Sequence, residues 1–122
     1  MTDWIKQLKT LQPAPLLPPQ YQASNAYTFQ LSEPSEFDHI DPLDTEAMIE
    51  HTRYLLQQHN ALWAIGGYGE QRNLYQHDQY SGNDVIHLGL DCSLPAGTPL
   101  FAPIEAHVHS FCDNAQAGDY GP

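Results

Sequence analysis

Positive charge is what this 122-residue chain most lacks: 4 Lys+Arg stand against 15 Asp+Glu, a formal net charge of −11 with its histidines neutral, and the pI is near 4.6. Binding to a nucleic-acid backbone depends on cationic side chains that release condensed counterions, so nucleic acid and anionic membrane surfaces are poor partners for it. Long apolar runs are missing too. The longest, such as Ala61 to Ile65, fall far short of the roughly 18 residues that mark a membrane span.

Cysteine is scarce. Cys92 and Cys112 are too few and too far apart to form a disulfide framework or a Cys-rich zinc site, which leaves one disulfide or two buried thiols as the alternatives. The opening residues Met1-Thr2-Asp3-Trp4-Ile5-Lys6 have no basic stretch, apolar block or small-residue cleavage site of a secretory leader. Read as it stands, the sequence carries no export signal, and no localisation is assigned.

What is present suffices for a modest core. Apolar residues make up 41% and aromatics 11% of a chain of single-domain length. Trp4, Ile5, Leu8 and Leu11 recur at helical spacing behind Thr2, which predicts a short N-terminal helix. Pro13, Pro15, Pro18 and Pro19 then remove backbone donors and fix φ, so residues 13–19 read as an extended linker or strap and residues 1–20 as peripheral. Tyr27, Phe29 and Leu31 alternate with polar residues as in a half-buried strand, and an acidic, turn-rich stretch runs from Glu33 to Asp41. Asp41-Pro42 suits the start of a helix over residues 43–59, with Leu43, Ala47, Met48, Tyr54 and Leu55 on one face and His51 and His59 at the surface.

From Ala61 onward short apolar runs are punctuated by glycine and proline, the texture of an antiparallel β unit. Gly66, Gly67 and Gly69 read as a flexible turn, with Val85–Leu90, Pro99–Ala102 and His107–Phe111 as strands. Trp63, Tyr68 and Tyr75 are groove or core aromatics, with the core as the default. The chain is therefore expected to be α+β. A peripheral helix and linker occupy residues 1–20, an accessory α+β segment 21–80, and a β domain 81–122, which the resemblance given below implies to be incomplete.

The chemistry concentrates in Val85-Ile86-His87-Leu88-Gly89-Leu90-Asp91. A neutral imidazole and a carboxylate are suitable zinc ligands. On a straight strand, however, residues four apart lie about 13 Å from one another, too far for two metal bonds to converge. Gly89 sits between them, where the missing Cβ permits a bulge or a turn with φ > 0 that swings Asp91 back toward His87. His107 and His109 lie two apart and share a strand face, but read better as ordinary sheet residues. His39 and His77, in polar surroundings, are weaker candidates.

Taken together, His87, Asp91, the Gly97-Thr98-Pro99 turn, the Ala102-Pro103 step and Val108 form an ordered set that resembles the first half of the lysostaphin-type (LytM-like) zinc metalloendopeptidases of bacterial peptidoglycan. Gly118-Asp119-Tyr120-Gly121 resembles that family's Gly-x-Tyr-Gly turn. The resemblance covers about residues 83–122 and implies Zn2+ as cofactor, His87 and Asp91 as two of its ligands, and peptidoglycan peptides as substrate, hydrolysed by zinc-activated water. It also implies action in the cell envelope. Ala106 stands where the family often has glycine, and the family's later HxH motif does not occur before Pro122. The expectation is an N-terminal part of such an enzyme with a half-built site and open sheet edges that invite association, inactive alone. The alternative is a non-catalytic binding or regulatory module on a degenerate peptidase fold.

Overall fold

The structure is a computed structural model that describes residues 3–72, 86–112 and 115. Helix α1 spans Asp3–Thr10 with Asp3 in its first turn, where a negative charge complements the helix dipole. It matches the N-terminal helix expected from the spacing, while its proposed Thr2 cap lies outside the described residues. The proline segment follows as an extended strap. Two backbone hydrogen bonds tie it down, from Phe101 N to Leu16 O at 2.9 Å and from Ala14 N to Pro103 O at 2.9 Å. The prolines remove donors but keep their carbonyls, so the strap's two bonds to the downstream chain use Ala14 and Leu16 between them.

Strand β1 is Ala26–Thr28, helix α2 is Thr45–Gln58, and strands β2 and β3 are Trp63–Gly66 and Asp91–Ser93. The sheet order is β1-β2-β3. β1 pairs with β2 in parallel, Ala26 opposite Trp63 and Thr28 opposite Ile65, because α2 carries the chain back to the starting edge before β2 begins. β2 and β3 pair antiparallel, Ala64 opposite Ser93 and Gly66 opposite Asp91. The architecture is the expected α+β mixture, with a small mixed sheet.

The core forms where α2 and the acidic turn fold over the sheet. Phe29, Leu31, Phe37, Leu55 and Ala64 are buried together, and Tyr27, Ile40, Met48 and Leu56 pack against them. Phe37 is only 2% exposed and meets Phe29 edge to face at 5.1 Å. Burying a side chain of this kind contributes about 1.5–3 kcal/mol. Trp63 is buried through contacts of its own, its indole N–H shared between Gln22 O at 2.9 Å and Asn25 Oδ1 at 3.0 Å. Trp63 is thus a core aromatic. Tyr68 is exposed, and Tyr75 lies outside the described residues.

The ends of α2 correct the expected cap. Asp44, not Asp41, is the N-cap, its carboxylate accepting from Ala47 N at 3.0 Å. Asp41 instead accepts from Leu43 N at 2.9 Å and builds the turn that leads into the helix. At the other end Asn60 adopts φ 48°, with Asn60 N donating to Gln57 O and Ala61 N to Leu56 O. This left-handed closure satisfies the last carbonyls. The inner face of α2 is Met48, Leu55 and Leu56, whereas Leu43 and Tyr54 are exposed.

Downstream, the strand expectations shift. Val85 lies outside the described residues, Ile86 forms only an isolated bridge with Gln71, and the ladder to β2 begins at Asp91. Pro99–Ala102 and His107–Phe111 are exposed and form no strand, Val108 at 83% and Phe111 at 85%. A strand needs a partner for its backbone groups as well as alternating side chains. Among the described residues, the strap partners this stretch only at Phe101 and Pro103, through Leu16 O and Ala14 N. Pro95–Thr98 does form the expected turn, with Thr98 N donating to Pro95 O at 3.1 Å and Gly97 at φ 83°, the positive angle a type II turn places there. No helix among the described residues is long and apolar enough to cross a membrane.

Candidate metal centre

His87 is positioned by its backbone. Its carbonyl accepts from Gly69 N at 2.7 Å and its N–H donates to Glu70 O at 2.9 Å, so the Gly69–Glu70 turn holds it from both sides. Four residues on, Asp91 opens β3 opposite Gly66. Between them the chain bends at Gly89. The bend is achieved without a left-handed φ, so what glycine provides there is room beside the His87 ring. A Cβ on Gly89 would lie 3.2 Å from His87 Nε2 and 3.5 Å from its Cε1.

The bend brings the two side chains face to face, with His87 Nε2 lying 3.4 Å from Asp91 Oδ1. That distance permits an ion pair with a protonated ring, but among the described residues the buried Nε2 has no hydrogen-bond partner. Burying an imidazole nitrogen unsatisfied is costly, and native structures rarely do so without a reason. Two donors each about 2.05 Å from one tetrahedral ion stand about 3.3 Å apart. A separation of 3.4 Å thus suits a direct His–carboxylate contact as well as two donors of one tetrahedral ion.

The other oxygen of Asp91 is already engaged. Arg72, 3% exposed, donates from Nη1 to Asp91 Oδ2 at 2.5 Å and from Nε and Nη2 to Glu70 Oε2 at 3.1 and 3.0 Å. A buried guanidinium is tolerable only when paired, and two carboxylates supply the pairing. Its seat is β2 itself: a Cβ on Gly66 would come within 2.7 Å of Arg72 Nη2. Gly66 is thus a buried strand residue and not part of a flexible turn. Sequence reading missed Arg72, whose only local sign was a neighbouring glutamate two residues before it.

The remaining candidates lie elsewhere. His107 and His109 are exposed outside any strand, and His109 Nδ1 meets Ser110 Oγ at 3.1 Å. His39 is exposed and packs edge to face on His51 at 4.7 Å. His51, expected at the surface, is half-buried: its Nε2 donates to Glu36 O at 2.9 Å and its ring packs on Phe37. His59 is exposed and stacks on Tyr27 at 3.9 Å. His77 and Gly118–Gly121 lie outside the described residues.

Cys92 and Cys112 are free and exposed, so they are neither buried nor paired. Partial burial, and after it the charge of Asp91, push the Cys92 thiol up from its ordinary value. Among the described residues, no three or more His, Cys, Asp or Glu side chains converge on one point. His87 and Asp91 are thus a pair. No family model, curated protein or solved structure matches the chain.

Proposed function

We propose that His87 and Asp91 are two ligands of a zinc site of the metalloendopeptidase type, serving hydrolysis of peptide bonds in peptidoglycan peptides. The observation that carries this reading is the buried His87 Nε2, without a hydrogen bond among the described residues and set 3.4 Å from Asp91 Oδ1. The ordered resemblance from His87 through Gly97-Thr98-Pro99 and Ala102-Pro103 to Val108 supports the peptidase class and its substrate.

The protein's own residues do the holding. The Gly69–Glu70 clamp fixes the His87 backbone, and the bend at Gly89 aims its Nε2 at Asp91. Asp91 presents Oδ1, its Oδ2 being tied to Arg72. When bound, zinc supplies Lewis acidity that polarises a carbonyl and lowers the pKa of water. A catalytic zinc uses three protein ligands and an open position, so hydrolysis on this reading requires one donor beyond this pair.

Calorimetric titration of the whole chain with Zn2+ tests the assignment. A single site lost in His87→Ala and in Asp91→Asn but kept in His107→Ala is the expected result. Equal binding by His87→Ala and the wild type overturns it. Incubation with isolated peptidoglycan, scored for new amino termini with and without a chelator, tests the reaction. Chelator-insensitive release would exclude zinc-dependent hydrolysis.

A second reading is a binding or regulatory module. The exposure of Leu100, Phe101, Ile104, Val108 and Phe111 within one twelve-residue stretch favours it, because exposed apolar side chains that form a patch mark contact surfaces. Retention of a wall hydrolase by the chain in the presence of chelator, undiminished by His87→Ala, is the outcome that selects this alternative.

A further inference from the structure

We infer that Arg72 is the positioning residue of the His87–Asp91 pair: it ties down one oxygen of the Asp91 carboxylate so that only the other is presented to a divalent cation beside His87 Nε2. The inference rests on the metal-site reading and adds the group that orients the ligand.

Three observations support it. Arg72 divides the two oxygens of Asp91, taking Oδ2 at 2.5 Å while Oδ1 faces His87 at 3.4 Å. The guanidinium is itself fixed, since Nε and Nη2 both donate to Glu70 Oε2 and Nη2 also reaches Gly67 O at 3.4 Å. Finally, the fold makes room for it: Gly66, the residue opposite Asp91, has no Cβ, and one would meet both Arg72 Nη2 and Asp91 Cβ.

The chemistry follows from the shape of the group. The Asp91 side chain is 52% exposed and, held only by its own rotamer, would be free to turn. A planar guanidinium locked by a second carboxylate removes that freedom in a way a mobile ammonium does not. It also keeps Asp91 from offering both oxygens to one ion, which favours single-oxygen ligation and a small coordination number of the kind zinc adopts. Residues that orient a ligand in this way typically change metal affinity by about 10- to 100-fold when removed. Glu70 serves both halves of the arrangement, since its backbone carbonyl accepts from His87 N while its carboxylate anchors Arg72. Imidazole and carboxylate are therefore referred to the same short turn.

The test is titration of the whole chain with Co2+, whose visible absorption reports ligand geometry, with circular dichroism to verify folding. Wild type is expected to bind with a d–d band that His87→Ala abolishes. Arg72→Gln is expected to weaken binding by about 10- to 100-fold and shift the band, with partial recovery in Arg72→Lys. If Arg72→Gln fails to fold, Glu70→Gln is expected to give a smaller loss with the same change of band. Wild-type affinity and an unchanged band in folded Arg72→Gln, or in Glu70→Gln where that variant stands in, overturn the inference and leave the metal site intact. Binding indistinguishable between wild type and His87→Ala overturns the metal reading, and the inference with it.

Discussion

Gly66 stands opposite Asp91 across the β2–β3 register, and the space left by its missing side chain is filled by the guanidinium of Arg72. An added Cβ would lie 2.7 Å from Arg72 Nη2, 3.1 Å from Leu31 Cδ1 and 3.3 Å from Asp91 Cβ. An exposed arginine would swing aside, but this one is buried and anchored by two carboxylates. Gly66→Ala should therefore destabilise the chain by about 1–3 kcal/mol, the usual cost of overpacking. Urea denaturation monitored by Trp fluorescence measures it. A midpoint equal to wild type would show that the guanidinium is not held as described.

The two aspartates before α2 are separable in the same way. Asp44 caps the helix through Ala47 N, whereas Asp41 bonds Leu43 N in the preceding turn. Asp44→Ala should lower stability by about 1 kcal/mol. Asp41→Ala should cost less, because the turn it closes is exposed and also has a backbone bond from Asp44 N to Asp41 O. Denaturation midpoints of both variants decide the order. The reverse order would restore Asp41 as the helix cap.

These aspartates show where the sequence was legible. Helical spacing and prolines are local signals, so α1, the strap and the body of α2 could be read directly. The cap was misplaced because two aspartates three residues apart both satisfy the local rule, and only the backbone path selects one. His51 looked like a surface residue on a polar helix, since nothing local shows that Phe37 folds over it. The His87–Asp91 approach was legible because Gly89 between them permits a bend that swings Asp91 back toward His87. Arg72 was not, because its partners Asp91 and Gly66 lie on different strands and meet only in the tertiary fold. Likewise Pro99–Ala102 and His107–Phe111 have the composition of strands, but composition does not supply a partner.

Tyr27 offers a prediction in pH. Its hydroxyl donates to Glu36 Oε1, while Glu36 Oε2 accepts from Gln30 N at 2.8 Å. The hydrogen bond to Glu36, then burial, then the Glu36 charge push the phenol from 10.0 up to about 12. The protonated phenol is the form the fold prefers. Its stabilisation is therefore full below the ordinary value of 10.0 and is lost as pH rises through the folded value of about 12. Tyr27→Phe should be less stable than wild type near pH 8, and the difference should shrink by about pH 11. Paired urea midpoints test this, together with tyrosinate absorbance to locate the late-titrating phenol. A gap independent of pH would contradict the Tyr27–Glu36 bond.

Gly89 tests the geometry of the centre without removing either ligand. Its φ is not left-handed, so alanine is compatible with the backbone there, and the effect of the substitution comes from the new methyl group. That methyl would sit 3.2 Å from His87 Nε2, the nitrogen that faces Asp91 Oδ1. The imidazole must give way by a few tenths of an ångström, and the Gly69–Glu70 clamp on its backbone confines the movement to the ring. Gly89→Ala should consequently leave the denaturation midpoint within about 0.5 kcal/mol of wild type. Zn2+ affinity should meanwhile fall by about tenfold or more, because a shifted donor no longer meets the ion at bonding distance. Calorimetry of the variant beside wild type provides the readout. Unchanged affinity would mean that Nε2 is not the nitrogen that binds, and a large loss of stability would mean that Gly89 serves the fold before it serves the site.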